Sequence, residues 1–132
     1  MVASGVETVI DLCAHPSFGP VVAFGTSGPA AEIYSDRAVR VLPLTDVDAD
    51  ELIRSVKGAP LLLGYRDRPP VDVSALGDVL LRVSRLALDM PEVVELTLEP
   101  VVVSASGSAA VDARVAVAPY RPIPELALRR LR

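Results

Sequence analysis

Residues 94 to 118 read Val94-Glu-Leu-Thr-Leu-Glu-Pro-Val-Val-Val103, Ser104-Ala-Ser-Gly107 and Ser108-Ala-Ala-Val-Asp-Ala-Arg-Val-Ala-Val-Ala118. The two outer parts are rich in β-branched residues, which favour strands. The Ser- and Gly-rich centre is typical of a turn. The pattern therefore predicts two strands, 94–103 and 108–118, joined as an antiparallel hairpin.

The polar residues of this hairpin fall at alternate positions, so they share one face of the predicted sheet. With a turn at 104–107, the register sets Glu99 opposite Asp112 and Thr97 opposite Arg114. Two facing carboxylates repel each other unless a positive charge lies between them. Two interpretations follow: a site for a divalent cation such as Mg²⁺ completed by ligand phosphates, or a solvated face neutralised by Arg114.

The rest of the chain supplies more strands and two helices. The predicted strands are 6–14, 21–24 and 38–44. One helix begins at Thr45, which has capping-box spacing to Asp48, and ends near Gly58. A helix over 72–89 follows from its apolar periodicity. Residues 59–71 before it are predicted to be mostly connection, with room for one helical turn at 61–63. The order β-β-β-α-α-β-β predicts an α+β domain with a mixed, mostly antiparallel sheet and helices packed on one face.

Composition excludes several classes of function. The chain has 132 residues, 51% of them hydrophobic, and a net charge of −4, which argues against nucleic-acid and anionic-membrane partners. Aromatic residues are only 4% of the chain, so stacking platforms for bases are few. No apolar run is long enough to span a bilayer. Cys13 is the only cysteine, and the first residues lack a basic signal-peptide region, so we expect a cytoplasmic protein.

Three local patterns are only weak evidence for a metal, phosphate or catalytic site. The acidic run 46–50 opens like a calcium loop, but Glu51 and Lys57 occupy the positions where that loop needs Gly and Glu. The loop Gly25-Thr-Ser-Gly28 has N–H groups for a phosphate, yet no Gly-Lys-Ser/Thr follows it. His15 is the only histidine and precedes a proline, which favours a surface turn.

Several blocks resemble NDP-forming acyl-CoA synthetases in order and spacing. They are His15-Pro-Ser-Phe-Gly-Pro-Val-Val-Ala-Phe-Gly-Thr-Ser-Gly28, then Glu32 and Asp36, Leu42-Pro-Leu-Thr-Asp46, Pro60-Leu-Leu-Leu-Gly64, Leu81-Arg-Val-Ser-Arg-Leu86, Glu95-Leu-Thr-Leu-Glu-Pro100 and Val111-Asp-Ala-Arg114. The resemblance covers about residues 3 to 118. It implies the second half of an ATP-grasp domain over 1–118, followed by a Pro/Arg-rich tail over 119–132.

The resemblance also implies cofactors and site residues. Members of that family use ATP or GTP, Mg²⁺, a free carboxylic acid and CoA. Its two metal ligands correspond to Glu99, where the family has Asn, and to Asp112. Glu7 matches a glutamate near the nucleotide ribose. The remaining cofactor-binding residues that it implies lie in and after the glycine loop, and they are Gly25, Ser27, Gly28 and Glu32. No catalytic residue is implied within this chain.

The expected partners are the other half of the nucleotide clamp and the CoA-ligase domains of the same protein. The arginine-rich ending resembles that of actinobacterial proteins in which such a module is fused to a GNAT lysine acetyltransferase. Because Lys57 is the only lysine, we expect the isolated chain to have no ligase activity. Substitutions such as Ser27 and Glu99 in the family motifs leave a second interpretation open, a degenerate regulatory or interaction module. A stand-alone small-ligand-binding domain is a third.

Overall fold

A computed structural model describes residues 5–27, 36–64 and 70–119. Its helices are α1 (Asp46–Ser55), α2 (Ala59–Leu63) and α3 (Val73–Asp89). Within these residues, no helix is both long and apolar enough to cross a membrane. The strands are β1 (Val6–His15), β2 (Gly19–Thr26), β3 (Arg37–Val41), β4 (Val93–Ser104), β5 (Gly107–Ala110) and β6 (Ala113–Val117).

The described strands form one sheet in the order β3-β2-β1-β4-β5, and β6 also pairs with β4. Every pairing is antiparallel. Helix α1 packs against α3 and against β2 and β3, and α3 also contacts β1, β4 and β5. The predicted α+β class, with a mostly antiparallel sheet and helices on one face, is therefore confirmed, and the described residues form no parallel strand pair.

The hydrophobic core lies between the helices and one face of the sheet, which we call the core face. On β1, Ile10 and Leu12 are buried there, and on β2 Phe24 is fully buried opposite Ile10. The two long helices contribute apolar side chains at helical spacing, which are Ala49, Leu52 and Ile53 of α1 and Leu76, Leu80, Val83 and Ala87 of α3. The other side of the sheet, the open face, carries the alternate residues of each strand.

The predicted hairpin register is confirmed. Val103 pairs with Ser108 and Thr97 pairs with Arg114. The second strand, predicted as continuous over 108–118, is divided into β5 and β6. Pro100 has no N–H to donate to that strand, so the ladder is interrupted there. The backbone contacts Val111 N to Pro100 O, 2.9 Å, and Glu99 N to Asp112 O, 3.2 Å, nevertheless keep the register across the gap.

Other boundaries differ from the sequence predictions. Strand β3 ends at Val41 rather than at Leu44, because Pro43 follows and cannot donate a ladder hydrogen bond. Strand β2 is longer than the predicted 21–24, since backbone pairing to β1 extends it to Gly19 and Thr26. In the connection at 59–71, the helical turn predicted at 61–63 is part of the short helix α2, which begins at Ala59. Of the predicted tail 119–132, the structure describes Pro119 alone.

Helix α1 begins with the predicted capping box. The Thr45 hydroxyl accepts from the Asp48 N–H at 3.1 Å, and the Thr45 N–H donates to Asp48 Oδ2 at 3.0 Å. The hydrogen bond from the Thr45 backbone N–H lowers the pKa of Asp48 below its ordinary value of 3.8. Two N–H groups at the helix N-terminus are thereby satisfied by local side chains.

This pKa shift predicts a pH-dependent effect of Asp48→Ala. A carboxyl group whose pKa is lower in the folded protein stabilises the fold above its unfolded-state pKa and loses that contribution as pH falls through the folded-state pKa. We expect the variant to unfold at lower urea concentration than the wild type at neutral pH, and the difference to shrink at a pH well below 3.8. Urea denaturation at the two pH values measures this, and an equal difference at both would contradict it.

Candidate functional site

The candidate site lies on the open face, around the middle of β1. Along β1 this face carries Glu7, Val9, Asp11 and Cys13, because they alternate with the core residues. Val9 has only 1% of its surface exposed and yet does not belong to the core cluster. Its neighbours on the open face therefore cover it.

A β-bulge shapes the sheet beside Val9. Thr8 pairs with Val101 and Ile10 pairs with Leu98, so two residues of β4 face the single residue Val9. Those two residues are Glu99 and Pro100. Thr8 is fully buried on the core face, and its hydroxyl donates to the Val101 carbonyl oxygen at 2.8 Å. The bulge places Glu99 on the open face next to β1.

The two acidic residues of the hairpin, Glu99 and Asp112, face each other there across β4 and the adjoining strand, as the alternation predicts. Glu99 is half-buried, Asp112 is exposed, and their backbones are joined by a hydrogen bond. The Ser27 hydroxyl donates to Glu99 Oε2 at 3.2 Å, and Asp112 Oδ1 accepts from the Ala113 N–H at 2.9 Å. The structure thus brings together three predicted site residues: Ser27, Glu99 and Asp112.

No arginine neutralises this pair in the described part of the chain. The ion pairs there join Arg37 to Asp11, Arg54 to Asp50 and Arg85 to Asp89, and none includes Glu99, Asp112 or Arg114. The same residues contain no group of three or more His, Cys, Asp or Glu arranged to hold a metal ion. A cation at this pair would therefore take its other ligands from outside the acidic, histidine and cysteine side chains of the described residues.

The other predicted cofactor-binding residues divide into two groups. Glu7 is exposed, and its carbonyl oxygen accepts from the Ser27 N–H at 2.9 Å, which puts it beside the carboxylate pair. Gly25 is buried on β2, opposite Val9. Gly28 and Glu32 lie outside the described residues.

Asp36 has a role that sequence reasoning missed, since the sequence presents it only as one residue of a matching motif. It is 6% exposed and immediately precedes β3. Its carboxylate accepts from the Thr26 hydroxyl at 2.6 Å and from the N–H groups of Lys57 at 2.5 Å and Gly58 at 2.9 Å. Asp36 therefore ties the loop after α1 to the end of β2, directly before Ser27.

His15 lies at the far end of β1 and takes no part in this cluster. It is exposed, and its Nδ1 accepts from the N–H groups of Ser17 at 3.0 Å and Phe18 at 3.3 Å. The ring also contacts the Phe18 ring, with centroids 4.8 Å apart. The prediction of a surface histidine is confirmed, but His15 itself ends β1, where it pairs with Gly19, and the turn is formed by residues 16–18.

Comparison with known proteins shows similarity over most of this chain. Residues 1–117 match the model of a family described as ATP-grasp domain. Acetate–CoA ligase [ADP-forming] I of Archaeoglobus fulgidus is 44% identical over 115 residues, which cover 87% of this chain and 17% of that protein. The beta subunit of acetate–CoA ligase [ADP-forming] I of Pyrococcus furiosus is 40% identical over 87% of this chain and 50% of its own length.

Solved structures give the same result. The dinucleotide-forming acetyl-coenzyme A synthetase 1 of Ca. Korarchaeum cryptofilum, in complex with coenzyme A and Mg-AMPPCP, superposes with a TM-score of 0.82 at 40% identity. The match covers 86% of this chain and 54% of that chain. The chain thus spans about half the length of the beta subunit and of the solved chain that it matches. With its fold, the order of its motifs and the family model in agreement over residues 1–117, the chain belongs to the ATP-grasp family.

Proposed function

We propose that this chain is the phosphate- and Mg²⁺-binding half of a nucleotide clamp in an acid–thiol ligase of the ADP-forming acetate–CoA ligase type. The observation that carries the proposal is the backbone pairing of Glu99 with Asp112 on the open face, with no arginine paired to either carboxylate among the described residues. Two carboxylates held side by side cost repulsion that a bound cation relieves. The relatives' names and the Mg-AMPPCP complex of one of them support the choice of ligand.

The donor set fits Mg²⁺. This ion takes oxygen ligands and is commonly held by one or two carboxylates together with substrate phosphates and water. Glu99 and Asp112 would supply the carboxylates, and both are accessible to solvent. Bound Mg²⁺ would neutralise charge on the nucleotide phosphates.

The residues around the pair would position the rest of the nucleotide. The Ser27 hydroxyl orients Glu99 through its hydrogen bond, which limits the directions that the carboxylate can take. Gly25 and Ser27 would contact the phosphates, together with Gly28 and Glu32 as the family resemblance implies. Exposed Glu7, beside Ser27, would contact the ribose.

The test is binding of Mg²⁺ and of Mg-AMPPCP to the 132-residue chain, followed by NMR chemical shifts. We expect Asp112→Asn and Glu99→Gln each to weaken Mg²⁺ binding at least about tenfold, because each removes a charge and one of two protein ligands. In the wild type, the NMR signals of Ser27, Val9 and their neighbours should shift when Mg²⁺ or Mg-AMPPCP is added.

Matched controls are Asp78→Asn on α3 and Glu51→Gln on α1. Both carboxylates are exposed and lie on helices, away from the open face. These variants should bind Mg²⁺ as the wild type does. Equal Mg²⁺ affinities for the wild type, the two site variants and the two controls would contradict the proposal.

The whole protein would convert a carboxylic acid and CoA to an acyl-CoA with ATP or GTP, and this chain would require the remaining clamp half and the CoA-ligase domains as partners. Two finer proposals rest on the resemblance of the arginine-rich ending: an actinobacterial source and a fused GNAT lysine acetyltransferase domain. The genomic reading frame around this sequence tests both. The comparisons give no support to the alternative of a non-catalytic regulatory module.

A further inference from the structure

Arg37 crosses the open face in an unusual way. It begins β3, where its partner on β2 is Gly25, and its guanidinium forms an ion pair with Asp11 on β1. The side chain therefore spans the whole width of β2. Gly25 permits this, since a Cβ atom built there would come within 3.3 Å of Arg37 Cδ.

This path brings a positive charge toward the carboxylate pair. Asp11 is paired with Thr97, and Thr97 with Arg114, so a row of polar residues runs across three strands of the open face. Glu99 follows Thr97 by two positions on β4, which is roughly 7 Å along a strand. The Arg37 guanidinium, paired with Asp11, and Arg114, opposite Thr97, thus flank this row of polar residues, which neighbours the row of Glu99 and Asp112.

The Arg37 guanidinium keeps donors available for a ligand. A guanidinium has five N–H donors, and one hydrogen bond is made to Asp11, from Nη1. The Arg37 side chain is 42% exposed, while that of Asp11 is 27% exposed. The ion pair holds the guanidinium in place on the sheet surface and leaves part of it facing solvent. Such a planar, oriented fork is well suited to phosphate oxygens.

We propose that Arg37 is a phosphate-binding residue of the open face. It donates to anionic oxygens of the same nucleotide whose metal ion is held by Glu99 and Asp112, and in this sense the inference rests on the proposed function. Asp11 holds the guanidinium in position. The chain thereby provides its own cation for the phosphates, in addition to any supplied by the other half of the clamp.

The experiment separates anion binding from metal binding. Metal-free inorganic tripolyphosphate is titrated into the 132-residue chain and followed by NMR chemical shifts. We expect Arg37→Gln to weaken tripolyphosphate binding about three- to tenfold, because a charge-assisted hydrogen bond at a partly exposed site is lost. The tripolyphosphate affinity of Arg37→Lys should lie between those of the wild type and Arg37→Gln, since lysine keeps the positive charge but lacks the planar guanidinium.

Arg54→Gln is the matched control, because Arg54 forms a similar exposed ion pair with Asp50 on α1, remote from the open face. It should bind tripolyphosphate as the wild type does. Unchanged affinity in Arg37→Gln, an equal loss in Arg54→Gln, or no binding by the wild-type chain up to the solubility limit would overturn the proposal. In each of these cases the Arg37–Asp11 pair serves only to join the strands.

A parallel titration with Mn²⁺ alone, read by paramagnetic broadening, isolates the metal site. Arg37→Gln should not weaken Mn²⁺ binding, because it removes a positive charge, whereas Asp112→Asn should weaken it. If Asp112→Asn has no effect on Mn²⁺ binding, the proposed metal site fails while the tripolyphosphate result for Arg37 stands by itself. Spectra of each variant without ligand verify that the fold is retained, as expected for an exposed ion pair.

Discussion

Replacing Asp36 by alanine should lower the free energy of unfolding by about 3 kcal/mol or more, because one buried carboxylate serves three donors. Without it, the Thr26 hydroxyl and the N–H groups of Lys57 and Gly58 lose their acceptor in three part-buried hydrogen bonds. Each unsatisfied donor that remains buried costs roughly 1–3 kcal/mol. Urea denaturation, monitored by circular dichroism, measures the loss.

Two further variants separate this explanation from a general effect of removing an aspartate. Asp36→Asn keeps one acceptor oxygen, so its loss in the free energy of unfolding should be smaller than that of Asp36→Ala. Asp50→Ala removes an exposed partner of Arg54 and should cost less than about 1 kcal/mol. A loss in Asp36→Ala as small as that in Asp50→Ala would show that the three hydrogen bonds do not hold the loop after α1 in place.

Gly25→Ala should destabilise the fold by about 3 kcal/mol, near the upper end for overpacked sites. An added Cβ would overlap the Asp36 carbonyl oxygen and also crowd its carbonyl carbon, at 3.1 Å. Backbone atoms cannot move aside as the end of a flexible side chain can, so β2 or the start of β3 must shift. The melting temperature and the urea midpoint should both fall.

Gly77→Ala is the natural comparison, since it makes the same chemical change within α3. A Cβ there meets no atom within 4 Å, and alanine favours the helix over glycine by roughly 0.5–1 kcal/mol. This variant should therefore be more stable than the wild type. If both glycine variants changed stability in the same direction, close backbone packing at Gly25 would not be the cause.

Part of the candidate site was predictable because it depends on short-range rules. The side chains of a strand alternate with a period of two, and the turn at 104–107 sets the hairpin register. Those two facts alone place Glu99 opposite Asp112, as observed. Likewise, the spacing of Thr45 and Asp48 predicts the capping box.

Other contacts were not predictable because they join residues that are distant in the chain. Ser27 meets Glu99 across 72 positions only because β1 lies between β2 and β4 in the sheet. Arg37 reaches Asp11 across β2 for the same reason. Nothing in the local pattern around either residue specifies the order of the strands.

The amino-acid pattern was enough to establish the class of fold, the helix 72–89, the hairpin register and the facing carboxylates, since each follows from periodicity, capping or turn length. Strand order, the bulge at Glu99 and the burial of Asp36 came from packing the whole sheet against α1 and α3. Whether Glu99 and Asp112 are neutralised by a neighbouring arginine also depended on that packing, because a long side chain can pair with any carboxylate within its reach. In the folded chain Arg37 pairs with Asp11, and the two carboxylates have no arginine partner among the described residues.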